Sequence, residues 1–379
     1  MTETRVFVYG TGAACAAGED LDAVWAAWRK GETKLSPLAS PSVASPVFAG
    51  LAPFRSGDPG AEPPGPATLA LARGALREAL GTADPGCRGD LDLVLGTTVG
   101  LGGDPEGDPE GAPFGELAET LAGEHGLRRA TTVVSGCTSS MEALATAADR
   151  IRAGRIAGAV AGGVDAVSAL VLRGFECLGM LARRVPRPFD RERNGCALGE
   201  GAAFLVLLAE EEGRRRGMLP LAELVSGAAG ISDHPSSLVE PEGAALAGTI
   251  GAALEAGGVP PAGIAFVQAF ALGTALGDPA EANALRAVLG PALGSIPISG
   301  TKGLLGHTLG AAGALDAALA IRALRERTLP AMTGLVEPDP ACALPRLLRE
   351  EESVSGNVAL QVGVGLCGQS AALLWRLPP

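Results

Sequence analysis

Apolar runs alternate with amphipathic runs along the chain, and this alternation predicts strands that are followed by helices. The segments 90–98 and 156–164, each with an apolar run at its centre, are typical of buried strands. Between them, Met141, Leu144, Ala145, Ala148 and Ile151 recur at helical spacing, which predicts a helix with one buried side. The pattern as a whole predicts a layered α/β protein with a largely parallel, buried sheet.

The same alternation starts again after a charged segment, EEGRRRG, at residues 211–217. A new strand-like run follows at 221–230, and the chain closes with two more, at 358–365 and 370–377. Two fused halves of similar construction are therefore predicted, at residues 1–215 and 216–379.

Composition and charge narrow the class of protein. Of the 379 residues, 47% are hydrophobic and 19% are charged, which is typical of a compact globular chain. The net charge of −12 without a basic stripe makes nucleic acid an unexpected partner. No signal peptide or membrane span is expected, and seven scattered cysteines favour a reducing cytoplasm.

Two glycine-rich segments resemble ligand loops, but neither has the full pattern. GTGAACAAG has Cys15 where a dinucleotide fingerprint needs its third glycine, so we interpret it as a tight strand-to-helix turn. The segment 100–115 repeats DPEG without the spacing of a calcium loop and is predicted to be a solvated loop. No metal or cofactor is expected.

Cys137 stands where a predicted strand ends and a predicted helix begins. Amides at a helix N-terminus stabilise a thiolate, so this position predicts a lowered pKa and a nucleophilic sulfur. A small buried cysteine explains the residues equally well.

The segment GTKGLLGH brings together Lys302 and His307, although the chain has only three lysines and three histidines. Its glycine-rich setting favours a functional pair over a histidine that is satisfied by local backbone. In QAFALGTALGDPAEANAL, a strand and a turn precede a helix begun by Asp278, and Phe270 stands where a reactive side chain is expected.

Five motifs in order resemble the β-ketoacyl-[acyl carrier protein] synthases of the thiolase superfamily. They are SGCTSS, PRPFDRERNGCALGEGAAFLVL, GDPAEANAL, GTKGLLGHTLGAAGALDA and VGVGLCGQSAALL. The resemblance extends over nearly the whole chain and implies a five-layered αβαβα fold that is usually dimeric. It also implies an acidic acyl carrier protein as partner. A basic docking surface is accordingly expected among five arginines, at positions 183, 184, 187, 191 and 193.

The resemblance implies a role for each motif residue. Cys137 matches the nucleophile, His307 an enolate-binding histidine and Lys302 the lysine that orders that site. Asp278 and Glu281 match acidic positions around it. Phe270 occupies the position of the second histidine.

Further departures concern the pocket. Leu366 replaces a gating phenylalanine, Cys367 a glycine and Ser370 an asparagine. Cys196 replaces a phenylalanine that lines the pocket, and His234, in GISDHPSS, matches a segment near the substrate channel.

Three functions are compatible with these features. The favoured one is an acyltransferase of fatty-acid or polyketide biosynthesis, acylated on Cys137 by acyl carrier protein or coenzyme A, with condensation impaired or specialised by Phe270. It would act as a homodimer or beside a complete synthase. The second is a non-catalytic partner subunit like a chain-length factor. The third is a thiolase-like enzyme on CoA esters, with Cys367 as second base.

Overall fold

The computed structural model describes residues 4–55, 58–59, 64–83, 85–102, 114–234, 239–342 and 344–379. Most of the predicted loop at 100–115 lies outside these residues. The strands are β1 Val6–Cys15, β2 Ser36–Leu38, β3 Val47–Gly50, β4 Leu91–Gly96, β5 Ala130–Val133, β6 Gly158–Asp165, β7 Leu198–Gly199, β8 Gly201–Ala209, β9 Ala222–Ile231, β10 Ile264–Gln268, β11 Ile298–Ser299, β12 Thr328–Leu329, β13 Glu352–Ser353, β14 Val358–Val364 and β15 Gln369–Arg376.

The helices follow the amphipathic runs. They are α1 Leu21–Lys30, α2 Gly65–Thr82, α3 Phe114–His125, α4 Ser139–Arg152, α5 Ala169–Cys177, α6 Glu210–Arg215, α7 Ala244–Ala256, α8 Gly277–Leu289, α9 Lys302–Leu305 and α10 Ala312–Glu326. The helical spacing noted around Met141 is confirmed. Met141, Leu144, Ala148 and Ile151 are buried in one core cluster, and the fifth predicted member, Ala145, is partly buried against it. Within the described chain, no helix is both long and apolar enough to cross a bilayer.

Ten strands form one hydrogen-bonded sheet, in the order β11-β10-β14-β15-β9-β1-β8-β6-β4-β5. Five of them come from residues 6–209 and five from residues 222–376. Among the strands that the structure describes, the two groups pair with each other only at β1 and β9, through Phe7 opposite Glu223 and Val8 opposite Ala222. Each group is therefore a five-stranded unit, and a short antiparallel joint connects them.

The prediction of a largely parallel sheet is wrong. The pairs β4–β5, β4–β6, β10–β11 and β10–β14 are parallel, whereas β1–β8, β6–β8, β14–β15, β9–β15 and β1–β9 are antiparallel. Apolar runs report that both faces of a strand are covered. They do not report the direction of the strand, so the sequence pattern could not separate a mixed sheet from a parallel one.

Helices cover the two five-stranded units on both sides. Helices α4 and α10 lie between the units and contact strands of both, while α2 and α3 cover the outer face of the first and α7 and α8 that of the second. The three hydrophobic clusters of the described residues correspond to the space between the units and the two outer faces. This is the αβαβα layering that the family resemblance implied.

Only the end of GTGAACAAG is the tight turn that was expected. Strand β1 continues to Cys15, and Cys15 and Gly18 then exchange backbone hydrogen bonds at 2.8 and 3.1 Å before α1 begins. Its glycines instead let α2 pack directly on the strand. A Cβ atom at Gly12 would lie 2.2 Å from the carbonyl oxygen of Ala75, and one at Gly10 would lie 2.2 Å from that of Ala79. The glycine pattern therefore records a close helix–strand contact.

Candidate active site

Cys137 lies in a short turn between the edge strand β5 and the helix α4. Strand β5 ends at Val133, a 3₁₀ turn spans Gly136–Thr138, and α4 begins at Ser139. Gly136 has a φ of 56°, which glycine adopts without steric cost. The carboxylate of Glu142 accepts hydrogen bonds from the Ser135 hydroxyl at 2.6 Å and the Thr138 hydroxyl at 2.8 Å. A side chain of α4 thus stabilises the turn that precedes this helix.

The thiol of Cys137 contacts the imidazole of His307. The distance between Sγ and Nε2 is 3.0 Å, and both residues are buried. Burial raises the pKa of the Cys137 thiol to about 12, and nearby Asp165 adds to the effect. Burial, with the charge of Lys302, lowers the pKa of His307 to about 3. The resting pair is therefore a thiol beside a neutral imidazole.

The lowered thiolate pKa that the helix N-terminus predicted is wrong for this resting site. The Leu366 backbone N–H and the charge of Lys302 do favour the thiolate, but desolvation of a buried sulfur outweighs them. A neutral pair can still react, because the imidazole accepts the thiol proton as the sulfur forms a bond.

Lys302 belongs to a buried polar group that the sequence analysis missed in part. Its Nζ forms an ion pair with Asp316, which also accepts hydrogen bonds from the Thr301 hydroxyl at 2.6 Å and from Gln268 Nε2 at 3.3 Å. Asp316 is the lone acid within the apolar stretch AAGALDAALA of α10. That isolation was the available signal, since a buried carboxylate needs a charged or polar partner.

The ring of Phe270 contacts both His307 and Lys302. Its ring centroid lies 5.4 Å from that of His307 with an interplanar angle of 78°, an edge-to-face contact. Lys302 Nζ lies 5.2 Å from the Phe270 ring centroid, within reach of a cation–π interaction. The side chain at this position supplies apolar surface and no hydrogen-bond donor.

Two buried carboxyl groups hold the loop that carries Phe270. Glu281 accepts hydrogen bonds from the backbone N–H groups of Phe270 at 2.7 Å and Ala271 at 2.8 Å. Asp278 accepts from Gly273 at 2.8 Å and Phe189 at 2.6 Å. Burial raises the pKa of Glu281 to about 8 and that of Asp278 to about 6. These bonds also keep Ala271 at a φ of 49°.

A second carboxylate that the sequence analysis missed is Asp165. It connects the segment 97–99 to Gly310 by hydrogen bonds. It accepts hydrogen bonds from the hydroxyl of Thr97 at 2.6 Å and from the backbone N–H groups of Thr98, Val99 and Gly310, at 2.8, 3.1 and 2.7 Å. It ends a strand that reads as wholly apolar up to that point, and only its position at the strand end could have marked it.

Cys137 and His307 both line one pocket, whose wall is mostly apolar. Its apolar walls include Phe175, Leu246, Phe270, Leu272, Val364 and Leu366. Glu281 also lines it, whereas Lys302 and Asp278 support it from outside the lining. Within the described ranges, no cluster of His, Cys, Asp or Glu could hold a metal ion.

The remaining candidates fall at different distances from this pocket. Leu366 lines it, and its backbone N–H reaches the sulfur of Cys137. Cys196 was expected on the pocket wall, but it is 1% exposed, donates to the Met180 carbonyl and does not line the pocket. His234 is half-buried, donates its backbone N–H to Ser232 Oγ and is likewise outside the lining.

The arginine cluster does not form a basic surface. Acidic side chains face all five members, in the pairs Arg183–Glu176, Arg184–Glu192, Arg187–Glu192, Arg191–Glu337 and Arg193–Asp339. Asp190 lies near Arg187 as well. Five positive charges thus meet five carboxylates, three of them from outside the segment, so the arginines and their partners together carry no excess positive charge.

Comparison with known proteins assigns the fold and site to a family. Two family models match, the β-ketoacyl synthase N-terminal domain over residues 121–213 and the C-terminal domain over residues 221–335. A solved structure described as the ishigamide ketosynthase/chain length factor is 26% identical, with a TM-score of 0.88 and 100% coverage of both chains.

Two curated relatives agree. The oxytetracycline polyketide putative beta-ketoacyl synthase 1 of Streptomyces rimosus is 37% identical over 246 residues, or 62% of this chain and 58% of that protein. The 3-oxoacyl-[acyl-carrier-protein] synthase 2 of Mycobacterium bovis is 31% identical over 258 residues, or 66% of this chain and 61% of that protein. The chain spans about six-tenths of the length of such relatives.

The layered fold and the cysteine at the strand–helix turn define a protein of the thiolase superfamily. Within it, the chain belongs to the β-ketoacyl synthase family, because both family models match, in order and over more than half of the residues.

Proposed function

We propose that the chain is an acyltransferase of polyketide or fatty-acid biosynthesis that accepts an acyl chain on Cys137 from acyl carrier protein or coenzyme A. The observation that carries the proposal is the 3.0 Å contact between Cys137 Sγ and His307 Nε2 beside an apolar pocket. A subunit without chemistry has no need of a thiol aligned with a neutral imidazole.

The transfer uses groups that are already in place. Sγ attacks the thioester carbonyl while its proton passes to His307 Nε2. The bond between the carbonyl carbon and the carrier sulfur then breaks, and the leaving thiolate takes the proton from His307. The Leu366 N–H, which reaches Sγ, lies close enough to stabilise charge that develops at the reacting atoms.

Extension of the chain is proposed to be slow. Forming an enolate from a malonyl thioester needs hydrogen-bond donors at its oxygen, and Phe270 offers none. Losing one donor from such a site costs roughly 10²–10³ in rate. Lys302 does not replace it, because its charge is committed to Asp316 and to the face of the Phe270 ring.

A dimer is proposed on the basis of the sheet edge. Strand β5 lies at the end of the sheet, and its residues are all partly exposed. Val134, which follows it, is 50% exposed. Such an edge can pair with a second copy or with a complete synthase.

A partner subunit without chemistry is the second candidate. The similar ishigamide protein is described as a ketosynthase/chain length factor, and the loss of a donor at Phe270 favours such a role for this chain. A thiolase-like reaction with Cys367 as second base has less support, because Cys367 is exposed and outside the pocket lining.

Intact mass after incubation with octanoyl-CoA or octanoyl-loaded acyl carrier protein tests the proposal. A single octanoyl adduct is expected on the wild-type chain, mapped by peptide analysis to Cys137, and none on Cys137→Ala. Peptide mapping is needed because Cys177 and Cys367 are exposed thiols. Equal labelling of both proteins, or no labelling of either, would leave the non-catalytic partner as the better function.

A further inference from the structure

Gln369 is a pocket residue of the motif VGVGLCGQSAALL to which no role has been given so far. It lines the same pocket as Cys137 and His307, at the start of β15. Its backbone carbonyl accepts from the Gly365 N–H at 2.7 Å, and its side-chain Oε1 accepts from the Cys367 N–H at 3.1 Å. The loop 365–368, which includes Leu366, is therefore hydrogen-bonded on both sides of Leu366 to Gln369.

The hydrogen bond to Cys367 fixes which way the amide points. A backbone N–H requires an acceptor, so the atom facing Cys367 is the oxygen and the other is the nitrogen. Gly365 packs against the oxygen so tightly that a Cβ there would lie 2.5 Å from Oε1. On the other side, Nε2 is 3.8 Å from the place a Cβ would take on Gly136, the residue before the reactive cysteine.

The side-chain nitrogen of Gln369, Nε2, can still donate hydrogen bonds. Among the described residues, Nε2 makes no hydrogen bond, although it carries two N–H groups. Two neighbouring hydroxyl groups of the pocket are engaged: Ser370 Oγ pairs with Thr249 Oγ1 at 2.7 Å, and Ser232 Oγ donates to Glu240 at 3.3 Å. A fixed, unused donor next to the nucleophile turn points to an acceptor that arrives with the substrate.

We propose that Gln369 contacts the substrate, its side-chain amide donating a hydrogen bond to the carbonyl oxygen of the thioester bound beside Cys137. The proposal rests on the acyl transfer proposed above. As Sγ adds to the carbonyl carbon, negative charge develops on that oxygen, and a pre-positioned donor stabilises the transition state more than the bound thioester. The chain would thereby hold a donor at the carbonyl although Phe270 supplies none.

Gln369→Glu and Gln369→Met separate this role from support of the loop. Glutamate keeps an oxygen that accepts the Cys367 N–H but loses the NH₂ group, whereas methionine loses both. The rate of Cys137 acylation by octanoyl-CoA is measured for each protein by quenched-flow intact mass. In parallel, alkylation of Cys137 by iodoacetamide reports the thiol alone, because that reaction creates no oxyanion.

The expected result is that both variants acylate at least about tenfold more slowly than wild type, while alkylation stays within about twofold. The Glu variant should also recover relative to wild type as pH falls from about 8 to about 5, because a protonated carboxyl can donate. Acylation of Gln369→Glu at the wild-type rate, with only Gln369→Met slow, would reduce Gln369 to a loop support and overturn the proposal. A wild-type chain that does not acylate at all would instead overturn the acyltransferase function itself.

Discussion

Phe270→His tests whether one side chain limits condensation. The centroid of the Phe270 ring lies 5.4 Å from the centroid of the His307 ring and 5.2 Å from Lys302 Nζ. At the latter distance a lysine charge disfavours an imidazolium by about 3 kcal/mol with an effective dielectric near 20, or about two pKa units, less the share that Asp316 screens. Burial acts in the same direction, as it does on His307. The new imidazole should therefore be neutral and able to donate from one nitrogen.

The expected gain is in the rate of decarboxylation. A donor restored at the enolate oxygen should raise CO₂ release from malonyl-loaded acyl carrier protein by up to about 10²-fold, together with 3-oxoacyl product. Stability should fall by about 1–2 kcal/mol, because the cation–π contact and part of the apolar packing are lost. The assay follows CO₂ and product by mass spectrometry, with acylation of Cys137 measured on the same samples.

Phe270→Leu is the matched control, since it removes the ring without adding a donor. A similar gain in both variants would assign the effect to space and not to the hydrogen bond. Rapid condensation by the wild-type chain alone would refute the reasoning, because it would mean that a site with His307 as its one histidine is sufficient.

Two further predictions concern the thiol and the packing of β1. Because the pKa of Cys137 is raised to about 12 and that of His307 lowered to about 3, thiolate should accumulate only at high pH. In a Cys177→Ser/Cys367→Ser background, iodoacetamide alkylation should rise steadily from about pH 7 to 10, and a plateau below about pH 8 would reveal a thiolate–imidazolium pair instead. Gly12→Ala places a methyl group 2.2 Å from the Ala75 carbonyl oxygen and should cost about 1–3 kcal/mol of unfolding free energy in urea. Gly74→Ala, which meets no atom within 4 Å, should be neutral or stabilising, and equal effects would contradict the packing account.

The sequence predicted the elements well and their directions poorly. Hydrophobic periodicity reports burial, so it located β4, β6 and the buried side of α4, but it could not show that β8 runs antiparallel to both of its neighbours. GTGAACAAG shows the same limit. Glycine serves turns and close packing alike, and only the position of α2 separates the two.

For the site, the motifs pointed to residues that the structure brings together, Cys137, His307, Lys302 and Phe270. Their catalytic roles stay predictions. The charge state of Cys137 could not be inferred, because the helix position suggests one sign and burial imposes the other. Asp316 and Gln369 were missed for a related reason. Both lie within motifs of the sequence, and Asp316 stands out there as a lone acid, but the partners that give each residue its role are visible only in the fold.

The bonds from Glu281 and Asp278 have a consequence for how this family can change. They reach only main-chain N–H groups, at residues 189, 270, 271 and 273, and none depends on the side chain at position 270. The backbone conformation of this loop is thus stabilised independently of the side chain at position 270. One codon change there can exchange an imidazole for a phenyl ring without rebuilding the backbone. Under the proposed function, a chain that extends and a chain that only transfers would therefore differ at a single position.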